Sequence, residues 1–163
     1  MARWLALDVG EARIGVAISD ATGFLASPYT TLHVTRDKSE TWKAIQRLIE
    51  DTEAEGLVVG LPISLDGAIH SQAKRVQAFA ERLKEHITVP ITFWDESLST
   101  VEAERLLVER GEAELGKRYM TTGGRKRNQT KRRRKKQEVD ALAAAVILQE
   151  YLDTQMSKTR GTE

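Results

Sequence analysis

The sequence predicts an α/β fold: a mixed five-stranded sheet with helices on both faces, in the order βββαβαβα, then a long basic segment and a C-terminal helix. Three observations lead there. Three apolar or β-branched runs joined by short turns open the chain, which is the pattern of an antiparallel meander. Helical apolar spacing then alternates with short apolar runs, the pattern of right-handed β-α-β crossovers. Finally, the chain returns after a polar stretch to an almost wholly apolar helix near Val139–Leu148.

The elements follow in order. Arg3–Asp8 and Arg13–Ser19 are strands flanking a tight turn at Gly10. Pro28–Val34 is the third strand. Trp42, Ile45, Leu48 and Ile49 have helical spacing, so an amphipathic helix spans roughly Ser39–Thr52, and Gly56 is expected to stop it. Leu57–Leu61 is short and wholly apolar, as in a buried parallel strand, and Pro62 is expected to end it. A loop with an Asp66-Gly67 turn signal covers Ile63–Ile69. Ala73, Val76, Ala80 and Leu83 mark a second helix, and Ile91–Trp94 a fifth strand running into Asp95-Glu96. Ser99-Thr100-Val101-Glu102 has capping-box spacing and opens a third helix that Gly111 closes.

The 163 residues are enough for one domain, taken as 1–155, with a frayed tail at 156–163. The absence of cysteine excludes disulfides and thiolate metal sites and fits a cytoplasmic protein. The first apolar run ends on Asp8, too early for a signal peptide or a membrane span. The formal net charge of +1 conceals a segregation. From Lys117 to Lys136 there are eleven Lys and Arg and no acid, leaving 14 basic against 24 acidic residues elsewhere. An acidic body with one concentrated basic segment points to a polyanionic partner meeting one side of the molecule.

Sites in such sheets form beyond the carboxyl ends of the parallel strands. That places Asp8 and Glu96 on one rim. Asp140 interrupts the final apolar helix, with Ala144 and Ile147 at i+4 and i+7, so its face is turned to the core. A carboxylate there is unfavourable unless paired or metal-bound. Asp8, Glu96 and Asp140 together form a candidate oxygen-ligand set for Mg²⁺ or Mn²⁺. Two such ions roughly 3.5–4 Å apart activate water and stabilise the leaving oxygen of a phosphodiester. Each carboxylate also has an ordinary reading: a turn residue, a solvated loop pair, a helix N-terminal charge.

The segment 112–138 lacks apolar periodicity and reads as a flexible loop. Its Arg125, Lys126, Arg127 and the run Lys131, Arg132, Arg133, Arg134, Lys135 and Lys136 are candidate nucleic-acid contacts. No aromatic is interleaved from Arg125 to Lys136, which favours contact with the phosphate backbone over base stacking. The alternative is a solvated linker. Val59-Gly60-Leu61-Pro62, with Ser64, Asp66-Gly67 and His70 beyond, is either a substrate-facing rim loop or plain turn chemistry. No His or Cys spacing suggests zinc, and there is no phosphate-loop or dinucleotide motif.

Four ordered motifs carry a resemblance: Leu7-Asp8-Val9-Gly10-x-x-Arg13-Ile14-Gly15-Val16-Ala17, Val58-Val59-Gly60-Leu61-Pro62, Asp95-Glu96-x-x-Ser99-Thr100-Val101-Glu102-Ala103 and Val139-Asp140-Ala141-x-Ala143-Ala144. Over about Arg3–Tyr151 the chain resembles the YqgF (RuvX) family. The resemblance implies a ribonuclease H-like fold related to bacterial Holliday junction resolvases. It also implies an activity, either junction resolution or trimming of the 5′ end of the small-subunit ribosomal RNA precursor. By the same resemblance Asp8, Glu96 and Asp140 match the family's metal-binding acids. The chain departs from the family pattern at Ser97, where the family usually has Arg, which bears on a phosphate contact. Its segment before Asp140 is also longer and more basic than is usual, which bears on substrate affinity.

The expectation is therefore a two-metal nuclease acting on structured RNA or branched DNA, without a membrane partner, as a monomer or homodimer. Two other classes compete. A non-catalytic nucleic-acid-binding module would not need all three acids. An ATPase of the actin and sugar-kinase type also opens with Asp-x-Gly on a hairpin, but needs two such domains.

Overall fold

Strand β1 (Trp4–Val9) is the centre of the architecture, with β2 (Arg13–Ser19) antiparallel on one side and β4 (Gly56–Ile63) parallel on the other. The structure is a computed structural model describing residues 2–63, 71–97 and 125–161, with the backbone alone at 63, 96, 97 and 125–137. Between and around these strands come β3 (Ala26–His33), α1 (Lys38–Thr52), α2 (Ser71–Lys84), β5 (Ile91–Ser97) and α3 (Arg125–Arg160). The five-stranded sheet has the order β3-β2-β1-β4-β5, with the first three strands an antiparallel meander and β1, β4 and β5 parallel. This is the mixed sheet predicted from the element order. The expected helix from Ser99 to Gly111 and the expected loop segments 64–69 and 112–124 lie outside the described residues.

The two faces of the sheet are packed differently. Leu5, Leu7, Ile14, Val16, Leu57 and Val59 bury under α1 and α2, where Trp42, Ile45, Val76 and Leu83 meet them. Ala6, Ala17 and Val58 bury under α3, against Ala144, Ala145, Ile147 and Leu148. Strand alternation assigns each residue to one face or the other. Small residues on both sides of the α3 interface let the helix approach the sheet closely. Tyr151 then locks the helix, its ring edge-on to Trp4 and Trp94 at 5.2 and 5.9 Å. Burial raises the Tyr151 phenol above its usual pKa, against the opposing effect of a hydrogen bond with Thr92. Trp94 Nε1 donates to Glu150 at 3.1 Å, and Ala26 N–H to Gln149 at 2.9 Å.

Three local expectations are corrected. Helix α1 ends at Thr52, as expected, but Gly56 is not what stops it: Glu53 takes the left-handed conformation at φ 56°. Gly56 instead begins β4, where the Trp4 ring lies so close that any Cβ would sit 2.3 Å from it. Strand β4 also continues through Pro62 to Ile63, paired with Glu96 and Ser97 of β5. Its pairing with β1 stops at Leu7–Val59, so beyond that point one edge is open and a residue lacking N–H is tolerated.

The third correction concerns the basic segment, which is helical from Arg125. Arg, Lys and Gln are good helix formers, and no Gly or Pro follows Gly124 until Gly161. Nucleation is provided by the packed turns around Val139–Leu152, so the basic turns only propagate an existing helix. Missing apolar periodicity carries no information on helicity. The 36-residue helix extends roughly 20 Å toward its N-terminus beyond Asp140.

The tightest point of the fold is Gly15. A Cβ built there would lie 1.9 Å from the Asp140 carbonyl oxygen of α3. Gly15→Ala should therefore push α3 off the sheet and destabilise the protein by about 1–3 kcal/mol. Denaturant unfolding, read as a lower midpoint with an unchanged m-value, checks this.

Candidate functional site

Asp8 is the next-to-last residue of β1 and is still inside the paired ladder, opposite Gly15 and followed by the Val9–Ile14 pair. Gly10 N–H closes the turn on the Arg13 carbonyl at 2.9 Å. Asp8 is 8% exposed and is held within the β1–β2 ladder, with a paired residue before and after it. Alternation puts it on the face of Ala6, the side covered by α3.

Asp140 reaches the same place from the other direction. Ala144 and Ile147, one and two turns further along α3, are fully buried, so the predicted core-facing orientation holds. The backbone of Asp140 rests on Gly15, which is the cross-strand partner of Asp8. One residue without a side chain therefore brings the two carboxylate-bearing positions onto one end of one sheet face. A larger residue at position 15 would fill the space between them.

Arg13 is the site residue that sequence reasoning did not single out. Its Nε donates to Asp140 Oδ2 at 2.7 Å, in a partly exposed pair with side chains 32% and 20% accessible. The signal was present: Arg13, Gly15 and Ala17 alternate onto one face of β2. Without the position of α3, however, nothing in the sequence linked Arg13 to a residue 127 positions later. The bond gives the core-facing carboxylate a partner while occupying one of its two oxygens.

Position 96 lies on β5, paired with Pro62, two residues beyond Trp94, which packs on the α3 face. Two strand spacings, about 10 Å, separate β1 from β5 across β4. Among the described side chains no three acidic or imidazole groups converge. The site is thus described as Asp8 with Asp140, plus the backbone position of Glu96. The donors present suit a hard divalent cation: they are carboxylate oxygens, one of them rigidly held, with no thiolate in the chain. Mg²⁺ or Mn²⁺ therefore fits the residues, with Asp8 and Asp140 as the groups that would hold it.

Of the predicted nucleic-acid contacts, Arg125, Lys126, Arg127 and Lys131 through Lys136 occupy the first turns of α3, leading directly to Asp140. No acid lies in the first turn of that helix. Nine cations at the positive end of a helix dipole repel one another and the dipole. Displaced titration elsewhere is structural: the Ser39 hydroxyl and amide hold Asp37 below the usual range at the start of α1, and the Thr22 hydroxyl does the same for Asp20. Among the described helices none is long and apolar enough to cross a membrane.

Comparison with known proteins agrees with this geometry. A curated relative from Thermoanaerobacter pseudethanolicus, named "Putative pre-16S rRNA nuclease", is 38% identical over 156 residues, covering 96% of this chain and 99% of the relative. One of the same name from Roseiflexus sp. is 42% identical over 153 residues, covering 94% and 95%. The solved structure of T. thermophilus RuvC in complex with Holliday junction substrate superposes with a TM-score of 0.50 over 96% of this chain and 97% of that one. At 11% identity this is a likeness of fold, and it bears out the ribonuclease H-like architecture. The family model RuvX, described as Holliday junction resolvase, matches residues 2–154, and with relatives this similar over nearly their whole length the chain belongs to the RuvX family.

Proposed function

We propose that this protein is a divalent-metal-dependent nuclease that hydrolyses phosphodiester bonds in structured RNA. Its substrate would be the 5′ end of the 16S ribosomal RNA precursor, in the cytoplasm. The observation that supports the reading is that the Asp140 backbone lies against Gly15, the cross-strand partner of Asp8, with the basic turns of α3 leading directly to Asp140. The relatives' printed name supports the choice of RNA. Junction DNA is the second reading, favoured by the description of the family model.

In this mechanism Asp8 and Asp140, with Glu96 from β5, are the residues that would hold the metal. A divalent ion, when bound, polarises the phosphoryl group and acidifies water. Asp8 contributes a carboxylate that needs no reorganisation, because the ladder holds its backbone on both sides. Arg13 orients Asp140 through Oδ2, leaving Oδ1 outside that bond. It also offsets part of the repulsion between the acids before metal binds. The cations of the α3 extension take successive phosphates of the strand and so deliver one phosphodiester to Asp8. Contacts of this kind give affinity and little sequence preference.

Asp8→Asn should lower cleavage by more than the roughly 100-fold typical of changes outside the ligand shell. Substrate affinity measured in chelator should stay within a few-fold. Side-by-side assays on precursor RNA and a four-way DNA junction with Mn²⁺ decide between substrates, and failure on both would end the nuclease reading. Arg13→Gln should destabilise the metal-free protein by about 1 kcal/mol, with a smaller loss when Mn²⁺ is saturating. Thermal melts with and without metal read that difference. Neutralising Lys131 through Lys136 should flatten the dependence of log affinity on log salt by about 0.7–0.9 for each phosphate no longer neutralised. Binding titrations at several salt concentrations measure it.

A further inference from the structure

On the face of the sheet opposite α3, the β1–β2 turn, α1 and α2 enclose a groove of about 360 Å³. Its floor is apolar and aromatic, including Val9, Trp42 and Phe79. Trp42 is braced from behind, stacked on His86 at 5.2 Å and tilted against Phe79 at 5.0 Å. Lys38, Arg75 and Arg82 stand along the walls. Arg75 is paired with Glu11, which leaves the other two cations in excess over acids in the lining. Thr41 also lines the groove, is 4% exposed, and has a buried hydroxyl with no hydrogen-bond partner among the described residues. A buried hydroxyl in that state is unfavourable unless something supplies its partner.

The geometry points to a second subsite: the groove binds one nucleotide of a single-stranded segment of the substrate, where that strand passes over the β1–β2 turn. This rests on the nuclease reading for its substrate. A flat apolar surface beside surplus cations suits a base joined to a phosphate, which stacks with little regard to sequence. The volume lies at the lower end of small-ligand pockets, matching a single residue and excluding a duplex. Location supplies the connection. Val9 and Gly10 line the groove, while Asp8, the residue before them, faces the opposite side of the sheet. The tip of the hairpin therefore divides the two sites, and a strand bound at Asp8 reaches the groove by turning over Gly10 and Glu11.

The test uses the full chain in chelator, so that binding is read without cleavage. A fluorescent single-stranded 12-nucleotide oligouridylate is titrated against wild type, the pair Lys38→Gln with Arg82→Gln, and Lys74→Gln. The last removes a charge from α2 outside the groove. The double variant should bind about tenfold more weakly and lose about 0.7 from the log–log salt slope, for the one phosphate no longer neutralised. Lys74→Gln should behave as wild type. An oligonucleotide carrying 4-thiouridine should crosslink to α2 or Trp42 in wild type. Equal affinity and slope for the double variant and Lys74→Gln would overturn the subsite. Uridine 5′-monophosphate binding as tightly as the oligonucleotide would overturn it in favour of a free-nucleotide site. Cleavage with Mn²⁺ is scored separately. Wild type that cuts nothing, while the double variant loses binding as expected, sinks the nuclease reading and keeps the groove. Wild type that cuts, with a double variant that binds normally, does the reverse.

Discussion

Helix α3 comes down onto the sheet with the Asp140 carbonyl resting against Gly15. That contact sets the height of the helix above the sheet, and the neighbouring alanines are sized to it: Ala6 and Ala17 below, Ala144 and Ala145 above. Larger residues at these positions would have lifted the helix and separated Asp140 from β1. At the far end of the interface, Tyr151 between Trp4 and Trp94 prevents the helix from sliding or rolling. The position of one carboxylate relative to another is thus governed by the least bulky part of the core and braced by the bulkiest.

The electrostatics follow from the same helix. One continuous element carries the cations of its first turns, then Asp140, then the apolar stripe that anchors it. Positive charge at a helix N-terminus is unfavourable in the free protein, and like charges at neighbouring helical positions add to that. A polyanion relieves both. Arg13 plays the complementary part at the rim, placing a guanidinium among acids in the free protein. The basic residues and Asp140 therefore follow one another along one continuous helix.

Much of the fold is legible in local pattern. The meander, the two crossovers and the buried face of the last helix each have their own periodicity, and the observed strand order follows from those elements and the handedness of their connections. The departures are of a different kind. Gly56 has the look of a helix stop, yet its lack of a side chain serves the Trp4 ring. Pro62 has the look of a strand end, yet it sits on an edge that β1 has left open. The basic turns lack apolar periodicity and so resemble a loop in sequence, although the helix that continues them is firmly packed. In each case the deciding neighbour lies on another element.

The site divides in the same way. Sequence alone determined that Asp8 ends an inner strand, that Glu96 lies at the corresponding end of a parallel one, and that Asp140 sits on a core-facing helical position. These are consequences of alternation and helical spacing, which are local. Only the tertiary structure decided that Asp140 lies against the cross-strand partner of Asp8, that Arg13 holds it, and that a second groove opens behind the hairpin. Contacts between residues more than a hundred positions apart depend on how closely two packed surfaces approach. That distance is a property of side-chain volumes meeting across the interface, and no periodicity along the chain encodes it.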